Sequence, residues 1–586
     1  MGPVLCLGLL GIVGGCEDVL SRDSTLNLRQ QIIESTRRQI NNAGDAEVRV
    51  VETTGDRSYL EENPERIEML DETSGPRRNL ASDIDLGPGL DGQTGDEMYL
   101  SLAEVVRIAV RNNIDLKLAR LAPASSEAQL AAAEAVFDAV FFAQGAFVKT
   151  DQPQAQFANV VGGTVFPIGQ PAQIVDSANL TTGIRKPLDT GGQIQISAAL
   201  DQQNNKTPGQ LFVPDPSYTS TLSLQITQPL LRSFGSYVNR SQILLTENAH
   251  RLDLLAFHNQ LLSTAGDAEE LYWRLVQARH NLAIQQRFYE RTVETRDGVQ
   301  QRQAFDASPI QHGQSETRVG EQRESVIRAR QAVRDISDQL KAVMNDPRLP
   351  LSGEHVLIPT DQPVEAPVEY NLLDSVTTAL RKRPDIRAAL LSIDSTSIQM
   401  AVADNQRLPI LNINAQMDYR GLDGNPGNSV DRLVDADFIT YLIGAQFEQP
   451  IGNRAAEANY RASRIQRQQA VLQYQQGAQL VVQALKRAMR DMRSSFQLID
   501  VARASRRAAA EALRAIDERG QIIEALTPEY LEVKLNAQQR LALAETREIQ
   551  AMVDYNIGVA RVHQFTGTLL ERNQIELAWP EGMFND

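Results

Sequence analysis

The sequence predicts a mainly helical chain with a membrane β-barrel portion: long antiparallel coiled-coil helices, about four β-strands and two internal repeats. The first observation behind this is strict alternation. Residues 221–227 (Thr-Leu-Ser-Leu-Gln-Ile-Thr) switch between polar and apolar at every step, and residues 441–448 nearly do the same. Strands of about ten residues with one oily and one polar face are what a membrane barrel requires. The second is that such segments sit beside glycine/proline turns and interrupt heptad-like helix twice in related order, over residues 101–344 and 370–568. The third is an absence: no run of eighteen or more apolar residues occurs, which excludes a bundle of transmembrane helices but not a barrel.

Residues 1–16 read as a lipoprotein-type signal ending at Cys16. An apolar run over residues 4–13 precedes Val13-Gly14-Gly15-Cys16, which resembles a lipobox. The sequence departs from that pattern in having no Lys or Arg between Met1 and the run. The bland alternative is a buried N-terminal helix with an incidental cysteine. Cys6 and Cys16 are the chain's two cysteines, so disulfides and thiolate metal sites are excluded from the rest. Residues 17–97 carry 19 Asp/Glu against 9 Lys/Arg, a net of −10 out of −16. With weak periodicity and several Pro/Gly breaks, they read as an acidic, largely disordered tether. Gly87-x-Gly89-x-x-Gly92 formally matches a dinucleotide fingerprint, but it follows no strand and reads as loop.

The first repeat, residues 99–346, opens with Ser101-Leu102-Ala103-Glu104, a capping-box start. Its strands are expected within 139–231: residues 141–150, residues 218–231, and one extra hairpin over 180–203 around the turn Leu188-Asp189-Thr190-Gly191-Gly192. With that hairpin the count rises from four strands per chain to six. A helical hairpin follows over 238–344. Its first arm, at 1.5 Å per residue, runs for about 100 Å, and Leu271, Leu275, Ala278, Leu282, Tyr289 and Val293 form a seam. A linker, 347–369, leads to the second repeat, 370–568, which retraces the first. Residues 372–391 align without gaps on 102–121. Strands are expected within 410–450, with 423–427 as the loop between them, and a helical hairpin over 455–566 carries the stripe Val481, Leu485, Ala488, Met492, Phe496 and Ile499. Residues 569–586 form a polar tail.

Chemistry is conspicuous by its absence. The sequence has no HExxH, no GxSxG, no phosphate-binding loop and no Cys/His cluster, so no catalytic, cofactor or metal residues are assigned. A net charge of −16 without a basic stripe excludes a nucleic-acid role. Closure of the sheet follows from elementary physics. Four or six strands cannot enclose a lumen, and an open edge in lipid costs several kcal/mol per unpaired backbone group, so several chains must share one barrel. Ser223, Gln225, Asn412, Asn414, Gln416, Gln446 and Glu448 would then face a wet lumen, with Leu222, Leu224, Ile226, Ile413 and Phe447 facing lipid. A soluble β-sandwich with one solvated face is the competing reading.

The order and spacing of several short words resembles the TolC-type outer-membrane efflux proteins over about residues 99–570. The words are Gln228-Pro229-Leu230-Leu231-Arg232-Ser233-Phe234-Gly235 with Asn239-Arg240, Leu271-Tyr272-Trp273, Arg383-Pro384-Asp385-Ile386, and Asp554-Tyr555-Asn556 before Thr566-Gly567. Gln449-Pro450 repeats the strand-to-helix word. The resemblance implies a homotrimer in the bacterial outer membrane, a twelve-stranded barrel built from four strands per chain, and a helical tunnel in the periplasm. It implies a passive exit duct of a tripartite efflux or type I secretion system, working with a periplasmic adaptor and an inner-membrane pump of the RND, ABC or MFS type. The helical hairpin tips would gate the duct and dock the adaptor: Asp306, Ser308 and Pro309 at the first, Thr527, Pro528, Glu529 and Glu532 at the second. Neither tip keeps the family's usual order of glycine, small residue, hydroxyl residue. Glu529 and Glu532 would form acidic rings, or else be solvated charge favoured by the helix dipole. The alternative from another class is a lipid-anchored periplasmic coiled-coil adaptor or scaffold without a pore.

Overall fold

The structure, a computed structural model, describes residues 30–31, 33–35, 38, 47–48, 64–76, 86–90, 92, 95–153, 157–168, 172–207, 211–302, 307–522 and 527–576. Cys16, Asp306, most of the 17–97 segment and the end of the tail lie outside the described residues. The chain forms two compact units, one containing residues 125–250 and 391–471, the other residues 26–124, 251–390 and 472–586.

The first unit is built on a six-stranded antiparallel sheet: β1 (Val140–Pro153), β2 (Ala172–Pro187), β3 (Gln193–Asn205), β4 (Ser217–Pro229), β5 (Ile410–Asp423) and β6 (Phe438–Glu448). Spatial order follows sequence order from β1 to β6. The extra hairpin is present, so among the described residues this sheet has six strands, the higher of the two expected counts. A five-residue turn joins β2 to β3, closed by Leu188 N–H donating to Gly192 O at 2.8 Å. Gly191 sits there at φ +89°, and an added Cβ would lie 2.2 Å from Ser233 O, so only glycine fits. The connection from β5 to β6 differs from expectation. It carries a helix, Pro426–Val434, because Asn425 caps it by accepting from Gly427 N–H and Pro426 occupies its first turn. That helix lies against β4 and β5, where Ser429 and Ser220 exchange a 2.8 Å hydrogen bond and Gly421 leaves room for the Ser429 carbonyl.

The second unit is helical. Its main elements are α1 (Pro64–Ser74), α2 (Leu102–Asn112), the continuation of α3 (Ser241–Gln301), α4 (Pro309–Met344), α5 (Leu372–Lys382), the continuation of α6 (Arg454–Ile522) and α7 (Pro528–Thr566). The gapless repeat alignment is visible in the element bounds, since α2 and α5 are each 11 residues. Ser101 and Glu104 form the expected capping box. Val481, Leu485, Ala488 and Met492 of the second stripe are buried, and Phe496 packs on Tyr555 at 5.2 Å. The first seam is buried at Leu275, Ala278 and Leu282, joined by Tyr272 and Trp273, so α3 is covered on more than one face.

The tether expectation needs correction over residues 64–76. Pro64–Ser74 forms α1, with Leu70 packed among Ala510, Leu513, Ala537 and Leu541. The glycine-rich stretch from Gly87 is loop, its carbonyls at Leu86, Gly87 and Pro88 accepting from Arg334 at 2.7–3.0 Å. No helix among the described residues is long and apolar enough to cross a membrane, which says nothing of strands.

Candidate functional site

Register settles which side chains share a face. In an antiparallel pair, directly opposed residues point the same way. One face carries the rows Gln416–Gln225–Gln195–Arg185 and Asp418–Ser223–Ser197–Gly183, running from β5 to β2. Asn414 and Thr227 and then Asn412 and Gln446 extend it. Hydrogen bonds knit it together: Asp418 accepts from Ser223 Oγ at 2.6 Å and from Gln416 Nε2 at 2.9 Å. The other face carries Tyr441–Met417–Leu224–Ile196–Ile184–Phe141 across all six strands, flanked by Ile443–Ala415–Ile226–Ile194. A soluble sheet buries such a face; here Leu224, Ile196, Ile184 and Phe141 are all exposed. An apolar band open to the surroundings opposite a hydrogen-bonded polar face suits a wall between lipid and water.

The two ends of the sheet differ. The short turn at 188–192 shares an end with the starts of β1 and β5 and the ends of β4 and β6. The other end carries the longer connections 154–171, 206–216 and 424–437.

At the short-turn end the polypeptide passes from strand to helix, and the expected words hold that corner. Gln228 accepts from Thr190 Oγ1 at 3.0 Å and donates to Pro229 O at 2.9 Å. Gly235, at φ +105°, donates to Thr190 O, and Asn239 reaches back to the carbonyls of Ser233 and Gly235 at 2.9 Å each. Asn405 accepts from Ser233 N–H at 2.7 Å, and Arg232 donates to Gln406 at 2.7 Å. The second corner, Gln449-Pro450, is held differently. Gly452 and Asn453 take positive φ, Asn453 donates to Arg407 O at 2.9 Å, and Arg407 pairs with Asp404 and Glu457 while stacking over Tyr460. Asn405, Gln406 and Arg407 were not singled out from the sequence, because the residues they hold at the two corners, Ser233, Arg232, Asn453 and Glu457, are more than 40 positions away.

In the helical unit the remaining family words act as clamps on the linker. Tyr272 Oη donates to Asp361 at 2.8 Å, Tyr555 Oη to Ala366 O at 2.7 Å, and Asn556 bonds both the N–H and the carbonyl of Val364 at 3.1 Å. Arg383 bridges Asp385 at 2.7 Å and donates to Phe565 O.

Both hairpin tips start their return helices alike. Ser308 caps α4 in a capping box with Gln311, and Thr527 caps α7 by accepting from Tyr530 N–H; each is followed by proline in the first turn. Val299, Ala307, Leu531 and Leu535 pack together, so the structure brings the two tips to one place. Glu529 and Glu532 are both exposed.

A charge cluster beneath α1 was not legible in the sequence. Arg506, only 2% exposed, pairs with buried Glu548, donates to Ser74 Oγ at 2.7 Å and bonds Asp71 at 2.7 Å. Arg507 also holds Asp71, at 2.6 Å, and Arg66 of α1 pairs with Glu511. Burial works against ionising Asp71, yet the hydrogen bonds from Arg507 and Arg506 outweigh it and hold its carboxyl below the usual range. Arg514, then Arg66, pull Glu511 down to about 2. Burial has the last word at the neighbouring His280, pushed down to about 4.

Residues 376–568 match the family described as outer membrane efflux protein. Among solved structures, the chain is similar to the CmeC outer membrane channel of Campylobacter jejuni, with 18% identity, a TM-score of 0.56, and coverage of 80% of this chain and 86% of that one. It is also similar to the MtrE outer membrane channel of Neisseria gonorrhoeae in its open state, with 16% identity, TM-score 0.54 and coverage of 80% and 89%. The outer membrane protein VceC of Vibrio cholerae matches at 14% identity, TM-score 0.55 and coverage of 80% and 96%. No curated protein matches the sequence.

Proposed function

We propose, for a chain whose second repeat matches the outer membrane efflux protein family and whose fold is that of the outer-membrane efflux channels, the role of a passive trimeric exit duct in the bacterial outer membrane. The observation that carries this is the two-faced sheet, with its six-strand apolar band and its ladder of Gln, Asn, Ser and Asp. A periplasmic scaffold would leave that band in water, where apolar area of this kind is costly. The short-turn end points to the periplasm and the long connections to the cell exterior, as in outer-membrane barrels generally. TolC-type channels are trimeric parts of tripartite pumps; here the partners are a periplasmic adaptor meeting the tips around Ser308-Pro309 and Thr527-Pro528, and an inner-membrane pump behind it. The duct selects by charge and width and performs no chemistry.

Glu529 and Glu532, three residues apart at the second tip, are proposed to ring the constriction and favour cations. Three copies place six carboxylates there, enough to concentrate cations and bind divalent ions. The double variant E529Q/E532Q is expected to lose cation preference and divalent block in single-channel recordings while still forming trimers. Unchanged selectivity would make these glutamates surface charge and move the gate to the first tip.

Cys16 is proposed to become the lipid-bearing N-terminus, aiding targeting in a protein the barrel already retains. Mass spectrometry of the mature protein is expected to show acyl chains on Cys16; a mature form retaining residues 1–15 would end that proposal.

A further inference from the structure

We infer that the β2–β3 hairpin is part of the transmembrane wall, so that three copies close an eighteen-stranded barrel and not the twelve-stranded one the family resemblance implies. This rests on the trimeric duct proposed above. The hairpin is paired along its length on both sides, β2 with β1 from Ala172 to Arg185 and β3 with β4 from Gln193 to Gln203. It also carries the wall's alternation without a break. Ile194, Ile196, Ala198 and Leu200 of β3 and Ile184, Thr182 and Leu180 of β2 share the apolar face, and Gln195, Ser197, Arg185, Gly183 and Asn179 share the polar one. A hairpin that folded away from the membrane as a soluble flap would have no reason to expose Ile184 and Ile196, each 52% accessible.

The occupant of the two open edges is a second copy of this chain. Six strands alternating in direction leave β1 and β6 antiparallel to each other. A ring of identical chains that sets β1 of one against β6 of the next therefore continues the antiparallel order without a mismatch. These edge strands are also the most open in the sheet, with Phe141, Phe147, Tyr441 and Phe447 each 65–71% exposed. Left unpaired in lipid, their backbone groups would go unsatisfied. With strands about 4.8 Å apart and tilted by about 40°, eighteen strands close at a backbone diameter of about 36 Å, against about 24 Å for twelve. Eighteen lies in the range where barrels hold an open aqueous lumen.

Cysteine pairs on the outward face, introduced in the full chain and oxidised in isolated outer membranes, test this. Ala143 opposes Thr182 and Ala198 opposes Leu222 in the register, so A143C/T182C and A198C/L222C are expected to close within one chain in particles with the mass of a trimer. In a twelve-stranded wall β1 would neighbour β4 directly. Trimers in which both pairs stay open while A143C/L222C closes would overturn the eighteen-stranded wall and leave the trimeric duct standing. Protein that assembles no trimer, with wild-type sequence as well as with the cysteine pairs, would overturn both.

Discussion

Leu224→Arg is expected to abolish membrane assembly, leaving the protein in the soluble periplasmic fraction and absent from the trimer band on mild gels. Leu224 sits in the middle of the apolar row Tyr441–Met417–Leu224–Ile196–Ile184–Phe141, where every neighbour across the sheet is apolar. An arginine on the lipid face costs about 2–4 kcal/mol at the bilayer midplane, and a ring of copies incurs it once per chain. Gln225→Arg, one residue along and on the polar face, provides the contrast. Its neighbours are Gln416 and Gln195, and it is expected to assemble normally while shifting the duct toward anions. Equal tolerance of both substitutions would mean that both faces meet water, as in a soluble sandwich.

Arg506→Ala is expected to lower the unfolding free energy of the helical unit by about 3–5 kcal/mol, the usual result of stranding one partner of a buried ion pair. Among the described residues Glu548 would keep only Arg503, at 3.1 Å, and Ser74 and Asp71 would lose their buried donor. Hydrogen exchange should show α1 released first, since its apolar attachment rests mainly on Leu70. Acid should release it too. Asp71 and Glu511 have folded pKa values below their ordinary ones, so their contribution is complete at neutral pH. It is lost as pH falls from the ordinary carboxylate range toward the folded values, about 2 for Glu511. Exchange of residues 64–74 measured from pH 6 down to pH 3 is expected to rise only toward the acid end. A release already complete at pH 6 would implicate a different group.

These two sites differ in how far the sequence disclosed them. The strands of the sheet were legible where branched and aliphatic residues alternate with polar ones, as at 221–227. They were underestimated where small or polar residues fill both faces. β2 begins at Ala172, eight residues before the expected hairpin, because Ser177, Ala178 and Asn179 carry no periodic signal and are held by pairing with β1 and β3. The helix Pro426–Val434 starts inside the loop expected over 423–427, because Gly424, Pro426 and Gly427 outweigh the cap at Asn425 as sequence signals. α1 was hidden for another reason. Its segment is strongly charged, which reads as disorder until Arg506 and Arg507, more than 430 positions away, supply the partners that hold it. The strand-to-helix words were visible at Gln228, Pro229, Gly235, Gln449 and Pro450, but the residues that hold those corners, Asn405 and Arg407 among them, become visible only once the fold is known.

Single-channel recording of purified protein in a planar bilayer tests the central claim most directly. A trimeric duct with a water-lined wall is expected to give discrete conductance steps, and E529Q/E532Q to reduce their cation preference without removing them. Protein that never conducts and that leaves membranes in a mild salt wash would contradict the account, because a barrel with an exposed apolar band across six strands can be extracted only by detergent.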